Sequence, residues 1–230
     1  MTCRAYRWDV AAPGTTVATA PPKPLLRGVS HEIAAGLALV AWLLLAGSAR
    51  SPRAALAAHV YGASLFLLFL VSASYHRPNW PPGARLVMRR VDHSAIFLLI
   101  AGTYTPFCLM LGGRAGHALL AVVWAGALLG VASSILWVRA PKAITAATCL
   151  ALGWIVVPVL PAMRAGVGSP GIALLAAGGL LYSIGAVVYA LQRPDPFPRV
   201  FGYHEVFHAL VIAAAACHFV VVMAALRRLA

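Results

Sequence analysis

Seven apolar stretches, near residues 31–48, 54–76, 91–111, 116–138, 143–162, 170–191 and 203–226, follow one another with short breaks between them. Each is close to the ~20 apolar residues that an α-helix needs to cross a hydrocarbon layer of roughly 30 Å. The breaks are Arg50-Ser51-Pro52-Arg53, Arg77 to Gly83, Gly112-Gly113-Arg114, Arg139-Ala140-Pro141-Lys142, Arg164 to Pro170 and Arg193 to Arg199. Proline and glycine interrupt helices for steric reasons, and arginine stays among headgroups or in water. In lipid every backbone polar group must be satisfied within the segment, so this pattern predicts an all-α polytopic membrane protein with seven transmembrane helices. Composition excludes a soluble fold of this size. Only 10% of residues are charged and 62% are hydrophobic, whereas about a quarter of a soluble domain is charged. Residues 30–230 are therefore expected to form one transmembrane domain in the cell (plasma or inner) membrane. Residues 1–29, rich in Pro, Ala and Thr, read as a flexible cytoplasmic tail. No apolar run follows Arg4 and Arg7, so a cleaved signal peptide is not expected.

The formal net charge is +13, with 18 Lys and Arg against five Asp and Glu. In a soluble chain this excess would point to nucleic acid. In a membrane protein, cations in short loops fix topology and meet anionic lipid, so the expected partner is the bilayer and not nucleic acid. The sequence names no protein partner. Twelve cations fall on the tail, on the second, fourth and sixth breaks and at Arg85, Arg89 and Arg90 just after the second, and six on the opposite side. The positive-inside rule then puts the N-terminus in the cytoplasm and the C-terminus outside. Cys3, Cys108, Cys149 and Cys217 form no C-x-x-C pair, and the last three read as small apolar-segment residues without a disulfide framework.

Ionisable groups inside apolar spans are costly and are candidates for function. With the topology above they gather at one depth. His31 and Glu32 open the first span, Ser72 and His76 close the second, Asp92 and His93 open the third, and His204, Glu205 and His208 open the seventh. Three neutral imidazoles, His76, His204 and His208, can fill three tetrahedral positions on Zn²⁺. His204 and His208 are four residues apart on one helical face. An open fourth position is the pattern of a catalytic zinc and supplies a hydrolytic water at neutral pH. Asp92 is then the carboxylate that orients a ligand or acts as general base, and Ser72 can hydrogen-bond the water or a ligand carbonyl. The same groups also read as polar contacts that pin helix ends. Glu205, His31, Glu32 and His93 read either as residues behind the ligands or as interfacial groups at helix starts, where Glu32 suits the helix dipole. His218 lies about 15 Å deeper along its helix and reads as a core hydrogen bond.

His204-Glu205-Val206-Phe207-His208 also matches H-E-x-x-H, the zinc-protease pattern with Glu as general base. Its extended form needs a third histidine at position 214, which is Ala, and no Asp or Glu follows Glu205. An intramembrane metalloprotease is thus the runner-up on the chemistry of the site and the least favoured reading of the function.

Three stretches together carry a resemblance: Ser72-Ala73-Ser74-Tyr75-His76, the run from Asp92-His93-Ser94 to Thr105-Pro106-Phe107, and His204 to His208. Over about residues 26–226 the chain resembles the hemolysin III family, the bacterial branch of the seven-helix family that includes the progestin and adiponectin receptors. It is more distantly similar to the alkaline ceramidases. The resemblance implies a cytoplasmic N-terminus and a zinc near the cytoplasmic face, held by His76, His204 and His208, with Ser72 and Asp92 beside it. Receptors of that family commonly carry Gln where Glu205 stands, so the resemblance does not require this Glu. It implies a zinc-dependent hydrolase of lipid amides, ceramidase-like, acting in membrane lipid homeostasis, with a membrane lipid as substrate or ligand. The alternatives are a non-enzymatic membrane-fluidity sensor or receptor-like protein with structural zinc, and a cytolytic (hemolytic) protein.

Overall fold

The computed structural model describes residues 23–229. The described chain is α-helical, and no strand occurs among the described residues beyond one isolated bridge between Phe197 and Phe201. Its helices are α1 (Val29–Ser48), α2 (Pro52–His76), α3 (Pro82–Leu111), α4 (Gly113–Leu136), α5 (Lys142–Trp154), α6 (Leu160–Leu191) and α7 (Tyr203–Arg228). Among the described residues six stretches are long and apolar enough to cross a membrane, the fifth of them being the 50 residues Lys142–Leu191. Leu37, Leu43, Leu129 and Ile184 are more than half exposed, as expected of side chains that face lipid.

Local chemistry explains the helix ends. Ser51 accepts a hydrogen bond from the Ala54 amide at 3.1 Å, and Pro52 follows it at the first helical position, where a missing N–H costs nothing. Pro82 starts α3 in the same way. The third helix thus begins nine residues before the expected position 91, and the loop from α2 shortens to Arg77–Pro81. Arg85, Arg89 and Arg90 consequently lie on helix, in the first three turns of α3. Between α5 and α6 the backbone passes through a single 3₁₀ turn, Val157–Val159, which contains Pro158. The groups released there converge on one side chain. The Tyr104 hydroxyl donates to the carbonyls of Gly153 (2.6 Å) and Leu152 (3.2 Å) and accepts from the Val156 amide (2.9 Å). Gly168 interrupts α6 with φ 73°, two residues before Pro170. Only glycine enters that left-handed region without a Cβ penalty.

The core forms two clusters that share α3. Ala95, Leu99 and Phe107 pack with α1, α2 and α7, while Phe97, Ala101, Tyr104 and Cys108 pack with α4 and Leu152 of α5. Their successive spacing of three, four or eight residues puts each set on its own side of α3. Fully buried Ala54, Ala57, Ala58 and Ala214 let neighbouring backbones approach, the packing that lipid surroundings favour. At the other end from the histidines, Ser51 also donates its hydroxyl to the Leu229 carbonyl, which joins the α1–α2 connection to the end of α7.

Candidate metal centre

The end of α2 and the start of α7 lie side by side, and both ends are held in register. Gly202, which precedes α7, has no side chain to cap the exposed amides. Two carboxylates do so instead: Asp195 accepts from the Tyr203 amide at 2.9 Å and Glu205 from the Gly202 amide at 2.8 Å. The first two turns of α7 therefore present His204 and His208 toward α2 in a fixed register. The last turn of α2 is tied by Lys23, whose ammonium donates to the carbonyls of His76 (3.3 Å) and Pro78 (2.6 Å).

His76, His204 and His208 form one group, with a ring nitrogen from each within 4.8 Å of the others. The Nε2 atoms of His76 and His204 face each other at 3.0 Å. Ring centroids are 4.4–5.2 Å apart across the three pairs. His204 and His208 are buried and His76 partly so. The Nδ1 atom of His208 is buried without a hydrogen-bond partner among the described residues. Such an orphaned imidazole is costly as a bare polar group, and three converging neutral imidazoles fit a divalent metal that prefers nitrogen ligands.

Ser72 and Asp92 are both buried beside this group. Ser72 is 2.8 Å from His31 Nδ1 and stands next to the Asp92 carboxyl. His31, only 3% exposed, stacks face to face on His208, with centroids 3.7 Å apart and planes at 7°. Asp92, Ser72, His31 and His208 thus form a continuous polar chain that draws one residue from each of α3, α2, α1 and α7.

Four of the other residues singled out in the sequence have other surroundings. Glu32 is 58% exposed and pairs with Arg77 at 2.9 Å. His93 is partly buried one position past Asp92, about 100° around α3, within electrostatic reach of Arg89 and Lys142. Glu205, 1% exposed, caps α7 with one oxygen and pairs with Arg27 at 2.5 Å through the other. Both oxygens being engaged, it is not arranged as the general base of an H-E-x-x-H protease. His218 lies deeper, with Nε2 3.3 Å from the Leu175 carbonyl.

Arg27 is the participant that sequence reasoning assigned no role. Residues 23–29 are the described part of the expected tail, Val29 already opening α1, and residues 1–22 lie outside the described residues. The segment forms a strap beside the histidine group, across the end of α2 and the stretch that precedes α7. Its Leu25 and Leu26 amides donate to the carbonyls of Arg199 (3.0 Å) and Val200 (3.1 Å). Gly28 turns it into α1 with φ 80°, so close to α2 that a Cβ there would stand 2.9 Å from His76 Cβ. The signal that could have pointed to Arg27 is Glu205 itself, an acid inside an apolar span that needs a counter-ion.

With this geometry in view, comparison with known proteins gives one consistent result. Residues 19–219 match the family described as "Haemolysin-III related". The chain belongs to that family. It is 36% identical to "Hemolysin-3" of Bacillus cereus over 205 residues, which covers 86% of this chain and 90% of that protein. It is 34% identical over 165 residues to "Hemolysin-3 homolog" of Bacillus subtilis, 71% of this chain and 74% of that protein. It is also 29% identical over 171 residues to the human "Monocyte to macrophage differentiation factor", 70% of this chain and 67% of that protein. As a member of the haemolysin-III related family with six apolar helices long enough to span a bilayer, it is a multi-pass protein of the cell membrane, and its surroundings are lipid.

Proposed function

We propose that this haemolysin-III related protein is a zinc-dependent hydrolase of amide-linked lipids, with its site open to the cytoplasmic leaflet. The observation that carries this reading is the group of three imidazoles, His76, His204 and His208, with buried Asp92 and Ser72 beside it. The three histidines would hold the ion. A zinc ion bound by them supplies a Lewis acid for a carbonyl and lowers the pKa of water to near 7. Ser72 offers a hydrogen bond to the amide carbonyl. Asp92 takes the proton from the attacking water and returns it to the departing nitrogen as the C–N bond breaks, leaving a fatty acid and an amine. His31, stacked on His208 and bonded to Ser72, holds both in place.

The topology belongs to the same proposal. A helix of 50 residues would be about 75 Å long, far more than one hydrocarbon thickness. We read Lys142–Leu191 as two crossings that meet at the Gly168–Pro170 interruption, which makes seven. The cation excess then puts the N-terminus and the histidine group on the cytoplasmic side.

Metal analysis of purified protein tests the site. Wild type should carry about one zinc, and a His76→Ala/His204→Ala/His208→Ala variant none; equal zinc in both rejects the assignment. Asp92→Asn tests the reaction, because a hydrolase should keep its zinc and lose turnover of a ceramide-type amide. A second reading has support in the same geometry. The histidines join the second helix to the last, so a structural zinc would tie them in a receptor-like or fluidity-sensing protein. Intact zinc-loaded protein without turnover on any lipid amide selects that reading.

A further inference from the structure

Beside the histidine group, at the same end of the bundle, basic and aromatic side chains converge from five helices. Lys142, the first residue of α5, is partly buried. Its ammonium donates to the Tyr203 hydroxyl at 2.9 Å and stands 5.0 Å and 5.2 Å from the ring centres of Tyr203 and Tyr189. A topology-setting lysine extends outward to the headgroups. Lys142 is instead held inward, within electrostatic reach of His93 and His204. Arg89 of α3 is partly buried and shares the surroundings of Tyr189 with Asp92, Tyr75 and Tyr203. Arg85 lies 6.0 Å over the Tyr75 ring and forms the outer rim.

These cations lack matching acids. Among the described residues the two ion pairs are Arg27 with Glu205 and Arg77 with Glu32, and Asp195 is engaged by the Tyr203 amide. Asp92 is the acid in reach of Arg89, and it is packed against Ser72. The surplus of positive charge extends to the strap: burial first, then the Arg85 and Arg27 guanidiniums, hold the Lys23 ammonium below its usual range. Converging cations in a partly desolvated place favour an anion that satisfies them together. Arg and Lys match phosphate oxygens, tyrosine hydroxyls add donors, and the rings suit the glycerol or acyl end of an amphiphile.

We propose that Arg89, Lys142, Tyr75, Tyr189 and Tyr203, with Arg85 at the rim, bind the phosphate of a lipid headgroup at the mouth of the histidine group. The site deepens the proposed function by naming the headgroup class, and rests on it only for the direction in which the bound lipid lies. Full-length protein in neutral micelles would be offered phosphatidylglycerol or an uncharged glucosyl diacylglycerol, and retained lipid read by native mass spectrometry. Wild type should retain phosphatidylglycerol about tenfold better. Arg89→Gln/Lys142→Gln should abolish that preference with bound metal unchanged, whereas Arg193→Gln/Arg199→Gln, which removes two exposed loop cations, should keep it. Lys142→Met alone, which leaves the stem over both rings, should lower retention in the same direction and serves if the double variant does not fold. The proposal is overturned if wild type shows no preference, if both double variants lose it equally, or if Lys142→Met retains lipid as wild type does. Millimolar inorganic phosphate displacing the lipid would assign the cations to free phosphate and overturn the headgroup; persistence of the lipid supports it. The triple histidine variant separates the two proposals, since loss of metal with lipid preference intact affects only the hydrolase.

Discussion

Glu205 shows how one residue can be eye-catching in sequence and serve another end in the fold. It stands between two metal-ligand candidates, yet its oxygens reach the Gly202 amide and Arg27. Removing one partner of a buried ion pair leaves the other charge uncompensated, which costs about 3–5 kcal/mol. Arg27→Ala should therefore lower thermal stability in detergent markedly, while Glu205→Gln, which keeps an acceptor for Gly202, should cost less. Small losses in both variants would mean that the ion pair contributes little. The candidate ligands were legible because alternating span directions bring His76, His204 and His208 to one depth. The pairing of residue 27 with residue 205 was not, because eighteen cations could have answered one buried acid and no local pattern selects among them. The position of His31 against His208 was hidden for the same reason: stacking depends on the rotation of α1 about its axis, which an almost uniformly apolar helix does not reveal. His31→Ala should weaken zinc retention against a chelator without abolishing it, whereas loss as complete as in His76→Ala would make His31 a ligand.

At the scale of elements, the apolar runs marked the helices well and their interruptions poorly. α3 begins at Pro82 because a proline is tolerated in a first turn, whatever the charge of the residues after it. The break near residues 162–170 is reduced to Gly168, and a separate interruption appears at Val157–Val159. The hydroxyl that serves that interruption, Tyr104, lies some fifty positions earlier, so its role cannot be read from the sequence around either residue. Tyr104→Phe should destabilise the α5–α6 junction, leaving Val156 and Gly153 without their partner. Each buried group left unsatisfied costs about 1–3 kcal/mol. Hydrogen exchange should show the faster amides confined to residues 150–160, and a uniform change across the bundle would contradict a local role. Gly28→Ala meets both a positive φ and the close approach to His76. It should lower stability and loosen the strap and the end of α2 together.

For the whole molecule, the all-α membrane fold followed from segment length and composition, since a bilayer leaves an isolated apolar segment no alternative. The crossing number and orientation are part of the proposal, and labelling of Cys3 from the cytoplasmic side alone is the expected outcome. One consequence concerns the order in which the molecule is made. His76 and His204 are separated by 128 positions, so an ion shared between them cannot bind until the last helix has been delivered. Every earlier length of nascent chain presents one ligand without the other two. Metal uptake would then act as a completion signal, and chains stopped before Tyr203 should emerge from the membrane metal-free however well their earlier helices are inserted.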